Sequence, residues 1–260
     1  MMIPNLWEMK SISNKGIDRL IFALDGFESK EEVQEWVRLL KNRVGIFKVG
    51  TELFSRFGPE ILKVIAAEDC RVFLDLKVHD IPRTVELAVK VLTDLDLFMF
   101  TMHASGGREM LRAGVSAARE VASKRGKVVP LSLAVTVLTS LSSEDLKDLG
   151  FKMPSSELTI RLAKLAKDAG VDGVVASPHE IGVIKRVCGN DFLVVSPGVR
   201  DGQVPGDDQK RVMNAKGAIM AGADFLVVGR PIRYAPDPIA AVNNIIAEID
   251  EGIGTLESLF

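Results

Sequence analysis

The sequence predicts an α/β fold, a single (β/α)8 TIM barrel, and three observations predict it. Eight short apolar runs recur along the 260 residues. Amphipathic segments separate them. The runs are continuous rather than alternating, which suits parallel strands buried on both faces. The rival arrangement of such units is an open doubly wound sheet. Eight units in about 240 residues favour closure into a barrel.

The strands are expected at 20–24, 46–49, 72–76, 97–102, 128–135, 171–176, 192–195 and 225–228. A helix is expected over 30–40, where Val33, Trp36, Val37 and Leu40 fall at i, i+3, i+4 and i+7. Ser29 suits its N-cap, with Glu32 placed as in a capping box. Segments 108–122, 157–169 and 210–221 show the same period. Gly170 and Gly222 follow two of them, where a left-handed residue commonly ends a helix. A short repeat supports the unit structure. AGVDGVVAS (169–177) and AGADFLVVG (221–229) lie 52 residues apart, each running from helix end through Asp into an apolar strand. Residues 1–15 read as an extension outside a barrel domain of 16–260, with Trp7 suited to pin the extension and Trp36 to the core. Residues 150–156 read as a loop within one unit.

Composition excludes several classes of function. Lys and Arg total 33 against 35 Asp and Glu, a net charge of −2, and a general nucleic-acid binder usually carries a basic surplus. The longest apolar candidate, 128–138, falls short of the ~18 residues a membrane span needs. The opening MMIPNLWEMK lacks the basic-then-apolar order of a signal peptide. Cys70 and Cys188 cannot form a disulfide framework in a chain this long, and with three histidines there is no Cys/His cluster for zinc. Buried, reduced thiols in a cytoplasmic protein are the expectation.

In such barrels the working residues stand at the C-terminal ends of the strands. Those ends carry Asp25, Lys48, Asp75 with Lys77, His103, the stretch 136–140, Ser177, the stretch 196–200, and Gly229 with Arg230. The densest is DLKVHDIP (75–82). On an extended chain residues i and i+2 share a face, so Asp75 and Lys77 point together into the mouth. Asp80 lies in the following turn, and Pro82 suits the first turn of a helix. An isolated DxKxxD is more often a solvated ion pair. Here the pair abuts a buried run and faces Lys48, which favours a functional array. A Lys among carboxylates stays protonated and can act as a general acid or stabilise a carbanion.

VVGRP (227–231) and SPGVR (196–200) suit an anion. Backbone N–H groups at Gly and a helix start accept phosphate, which barrels commonly hold after the seventh and eighth strands. Arg230 adds a bidentate donor. The polar loop 201–209 reads as a lid. His103 suits packing at least as well as catalysis, and His79 and His179 are given no role.

These residues resemble the orotidine 5′-phosphate decarboxylase family of the bacterial type. The resemblance runs from about residue 19 to about residue 247. It rests on ALD (23–25), FKVG (47–50), DLKVHDIPRTV (75–85), MHASGG (102–107), VTVLTS (135–140), SPGVR (196–200), DDQKR (207–211) and VVGRPI (227–232). It implies decarboxylation of orotidine 5′-phosphate to UMP in de novo pyrimidine biosynthesis, with no metal and no organic cofactor.

It also implies roles. Lys48, Asp75 and Lys77 would form a charged array completed by Asp80 of the other subunit in a homodimer, with Ile81 and Thr84 also reaching across. Lys77 would protonate C6 of the pyrimidine, and Asp75 would face the leaving carboxylate. Asp25 and Lys48 would contact the ribose, and Thr139 the base. Gln209, Gly229 and Arg230 would hold the phosphate, with Arg200 nearby. Residues 1–15 have no family counterpart, and DLDLFMFTM (94–102) is unusually rich in Phe and Met, which puts local packing in question. Two alternatives stand beside this reading: a magnesium-dependent keto-sugar-phosphate lyase of the same superfamily, and a non-catalytic nucleotide-binding barrel. Thr139, Gln209 and the DIPRTV turn favour a nucleotide, and the retention of Asp75 and Lys77 favours catalysis.

Overall fold

The strands are β1 (Leu20–Ala23), β2 (Ile46–Gly50), β3 (Arg71–Val78), β4 (Met99–His103), β5 (Leu131–Val135), β6 (Gly173–Val175), β7 (Leu193–Pro197) and β8 (Phe225–Val228). Each pairs in parallel with the next, and β8 pairs with β1, so the sheet closes into a barrel. The computed structural model describes residues 15–199 and 213–258. Trp7, Arg200, Gln209, the loop 201–209 and all but the last residue of the expected extension lie outside the described residues.

Helices fill the connections: α1 (Gly16–Arg19), α2 (Lys30–Leu40), α3 (Thr51–Phe57), α4 (Glu60–Ala66), α5 (Pro82–Thr93), α6 (Gly107–Arg125), α7 (Ser143–Asp148), α8 (Ser155–Asp168), α9 (Ile181–Cys188), α10 (Ala215–Met220), α11 (Arg230–Arg233) and α12 (Pro238–Glu257). Helix α2 matches its expected bounds. Ser29 Oγ accepts the Glu32 N–H at 3.1 Å, but the Glu32 carboxylate accepts from Glu28 N rather than returning to Ser29. The cap is therefore half of the reciprocal box. Helix α10 starts at Ala215, capped by the Asn214 side chain on Gly217 N. Strand β5 starts at Leu131, three residues later than expected, because Val128 is exposed. Gly170 and Gly222 both have positive φ, as expected of helix ends.

Two apolar layers follow from strand alternation. Leu20, Phe22, Phe47, Val49, Val72 and Leu74 face outward and pack under the helices. Ile21, Ala23, Ile46, Phe73, Met99, Leu133, Val195, Phe225 and Val227 fill the barrel interior. Two residues beyond Ala23, Ile46 and Phe73, in the same inward phase, come Asp25, Lys48 and Asp75. The apolar filling ends there and the charged mouth begins.

The Phe/Met-rich run before His103 is absorbed by both layers. Met99 packs inside, Phe100 and Met102 outside. Gly114 in α6 makes room for Met102: a Cβ there would lie 2.3 Å from its sulfur. The two repeats share a task at the opposite end of the barrel. Asp172 Oδ2 accepts from Ser132 N and Oγ at 2.8 and 2.7 Å. Asp224 Oδ2 accepts from Val194 N at 2.7 Å and from Lys185 Nζ at 2.6 Å. Each Asp ties the start of its strand to a neighbouring strand.

Candidate active site

A cavity of about 620 Å³ opens at the C-terminal ends of the strands, lined by Asp25, Lys48, Asp75, Lys77, Thr139, Gly229 and Arg230 among others. Seven of the twelve expected site residues thus converge on one mouth, together with Arg233 and Tyr234, which the sequence reading missed. Asp80, Ile81 and Thr84 do not line it. They lie exposed at the turn into α5, where Asp80 Oδ1 accepts the Ile81 N–H at 2.6 Å. Arg200 and Gln209 lie outside the described residues.

The charged groups form a row. Lys48 Nζ lies 3.2 Å from Asp25 Oδ1 and 3.8 Å from Asp75 Oδ2, and Lys77 Nζ lies 2.9 Å from the same Asp75 oxygen. Side-chain exposure is 10% at Lys48 and 12% at Asp75 but 35% at Lys77. Lys77 is therefore the member of the Asp75–lysine group most open to a ligand. Burial pushes the Asp75 carboxyl up. Lys48, Lys77 and the hydrogen bonds from Lys77 and Thr101 outweigh that and hold it below its ordinary value. Asp75 is thus an anion opposite two cations.

The strand carrying this pair is not simply extended. Lys77 has φ 52°, in the left-handed region, and the β3–β4 register slips between Leu74 and Val78. Asp75 and Lys77 do meet, as the sequence predicts, but through a bulge rather than through plain alternation. The Gly229–Arg230 side is built differently. Gly229 sits so close to β1 that a Cβ would lie 3.2 Å from the Ala23 Cβ, and the short α11 follows at Arg230. Arg233, from the same turn, donates to the Asp25 carbonyl and lies 3.8 Å over the Phe27 ring. It clamps the loop that carries Asp25.

Several polar strand ends serve the barrel wall instead. Thr136 Oγ1 donates to the Val175 carbonyl at 3.0 Å, and Ser196 Oγ to the Ala176 carbonyl at 3.0 Å. His103 stacks on His79 with ring centroids 5.3 Å apart, and its Nδ1 lies 2.7 Å from Ser105 Oγ. Burial, His79 and Lys77 lower the His103 pKa, so it stands neutral at neutral pH. Among the described residues there is no group of three or more His, Cys, Asp and Glu placed to hold a metal ion.

The family described as orotidine 5′-phosphate decarboxylase / HUMPS matches residues 18–245. The chain belongs to this family. A relative from Syntrophus aciditrophicus (strain SB), an orotidine 5′-phosphate decarboxylase, is 48% identical over 246 residues, covering 94% of this chain and 98% of its own length. Another of that name, from Syntrophotalea carbinolica (strain DSM 2380 / NBRC 103641 / GraBd1), is 50% identical over 231 residues, covering 89% and 94%. The crystal structure of the Lactobacillus acidophilus orotidine 5′-phosphate decarboxylase superposes with a TM-score of 0.77 at 37% identity, over 88% of this chain and 98% of that one. An uncharacterized conserved protein from Geobacillus kaustophilus gives 0.76 at 34%, over 88% and 99%. The family match begins at residue 18, beyond the segment that the sequence reading set apart as an extension.

Proposed function

We propose that this chain decarboxylates orotidine 5′-phosphate to UMP, in de novo pyrimidine biosynthesis, using its own side chains and no cofactor. The observation that carries the reading is the Asp25–Lys48–Asp75–Lys77 row along one wall of a cavity that also holds Gly229 and Arg230. Arg230 and the Gly229 backbone take the 5′-phosphate. Asp25 and Lys48 take the ribose hydroxyls, and Thr139 meets the base. Those contacts place C6 of the pyrimidine beside Lys77.

Loss of CO2 leaves an electron pair at C6. The Lys77 ammonium stabilises that charge, then gives it a proton to form UMP. Asp75 faces the departing carboxylate and holds Lys77 in place. Interactions at the remote phosphate offset the cost of bringing a carboxylate up to Asp75.

A homodimer with shared sites is part of the proposal. Asp80, Ile81 and Thr84 do not line their own cavity, and Ile81 is 67% exposed. Reaching into a partner's cavity would cover the Ile81 side chain and add Asp80 to the Lys48–Asp75–Lys77 array. Arg200 and Gln209 join the phosphate contacts in this reading. A net charge of −2 gives no support to nucleic acid as a partner. Among the described residues no helix is long and apolar enough to cross a membrane, and two free cysteines fit a reducing cytoplasm.

The test follows the absorbance of orotidine 5′-phosphate with purified protein, with and without EDTA, beside Lys77→Ala. Turnover that resists EDTA and collapses in the variant is expected. No turnover, or turnover that needs a metal, would overturn the reading in favour of a sugar-phosphate lyase.

A further inference from the structure

Thr101 lies outside the cavity lining, yet it bonds to two members of the charged row, Asp75 and Lys77. It sits on β4, fully buried, in the inward phase set by Met99. Beside it the β3–β4 ladder slips: Leu74 lies opposite Phe100, but Val78 lies opposite Met102. Four steps along β3 therefore match two along β4, and the surplus chain is taken up where Lys77 adopts φ 52°. In that stretch the Lys77 N–H donates to Thr101 Oγ1 at 2.9 Å. An N–H can only donate, so the hydroxyl must spend its own proton elsewhere. It points that proton at Asp75 Oδ1, 2.9 Å away. The two carboxylate oxygens are thereby divided. Oδ1 belongs to Thr101, while Oδ2 takes Lys77 Nζ at 2.9 Å and faces Lys48 Nζ at 3.8 Å.

We infer that Thr101 is a positioning residue for the decarboxylation: its hydroxyl fixes the plane of the Asp75 carboxylate and the backbone bulge at Lys77, and so aims the Lys77 ammonium. The inference rests on the proposed roles of Asp75 and Lys77. A Val at this position keeps the shape and removes both hydrogen bonds. It leaves the Lys77 N–H and one buried carboxylate oxygen without this partner. A Ser keeps both bonds and removes only a methyl.

The experiment measures kcat and KM for orotidine 5′-phosphate, with a thermal melt of each protein, for the wild type, Thr101→Val, Thr101→Ser and Lys77→Ala. Thr101→Val should lower kcat roughly 10- to 100-fold, the scale of a hydrogen bond to a charged group, with KM changed by less than about threefold. Thr101→Ser should stay within about threefold of the wild type, since it retains both bonds. Should Thr101→Val not melt as a folded protein, Thr101→Cys replaces it, with a weak S–H donor and the same expected fall. A Thr101→Val or Thr101→Cys kcat near that of the wild type overturns the inference. So does a Thr101→Ser loss as deep as that of Val, which would assign the effect to the lost methyl. An inactive wild type, or an active Lys77→Ala, removes the proposed function and the inference with it. An active wild type, a dead Lys77→Ala and an unimpaired Thr101→Val overturn the inference alone.

Discussion

Lys185→Met tests whether the barrel keeps its stability and its chemistry at opposite ends. Lys185, on α9, is buried at the end opposite the mouth, with a side chain 10% exposed. Its ammonium donates to the Asn190 and Phe192 carbonyls, each at 3.0 Å, and to Asp224 Oδ2 at 2.6 Å. Methionine keeps the stem that packs over Gly222 and removes all three bonds. Asp224 keeps the Val194 N–H and is 24% exposed, so water covers part of its loss. Breaking a buried ion pair costs about 3–5 kcal/mol. Partial hydration of Asp224 places this case at the lower end, about 3 kcal/mol, or a fall in Tm of about 6–12 °C at this chain length. Thermal and urea melts measure that. Decarboxylation measured well below the melting range should keep kcat within about twofold, because no atom of this cluster lines the cavity. A Tm fall under about 2 °C would refute the energetic reasoning at this size. A large loss of kcat with Tm intact would refute the separation of the two ends.

Two further predictions concern the mouth. The folded Asp75 carboxyl lies below its ordinary value, held there against burial by Lys48, Lys77 and Thr101, with Asp25 on the far side of Lys48. The unfolded chain therefore binds this proton first, at about pH 3.9. The contribution of Asp75 to stability is complete above that value and is lost as pH falls through the lower folded pKa. Stability melts from pH 5 down to 2 should fall less steeply for Asp75→Asn than for the wild type, and equal slopes would refute the assignment. At Lys77 the left-handed backbone costs a non-glycine residue about 1–2 kcal/mol, against about 0.5–1 kcal/mol of extra chain entropy that glycine loses on folding. Lys77→Gly should thus melt about 1–4 °C above Lys77→Ala, both being inactive. A lower melt for the glycine variant would show that φ 52° is not strained here.

The barrel was legible because parallel strands buried on both faces leave unbroken apolar runs, and the mouth because charge interrupts those runs in phase. Asp25, Lys48 and Asp75 each stand two residues past an inward apolar side chain, a relation that period-two alternation exposes without any structure. The slip at Lys77 was not legible. DLKV reads as ordinary alternation, and lysine carries no preference for a left-handed backbone that would betray the bulge. Thr101 was hidden for a related reason. The Phe and Met content of its run masks it, although a lone hydroxyl in the inward phase is itself the signal. Arg233 offered none. It reads as a cation on a short helix, and only closure of β8 against β1 brings it to the Asp25 carbonyl. The Asp repeat lies between these cases. Turn chemistry explained the motif locally, while the structure shows each Asp accepting a backbone N–H from a neighbouring strand. Side chains governed by strand phase are therefore readable one run at a time. Side chains governed by register slips or by closure become readable only once two strands are aligned. Thr101 belongs to the second kind, and this is why a residue bonded to both Asp75 and Lys77 escapes a motif that names them.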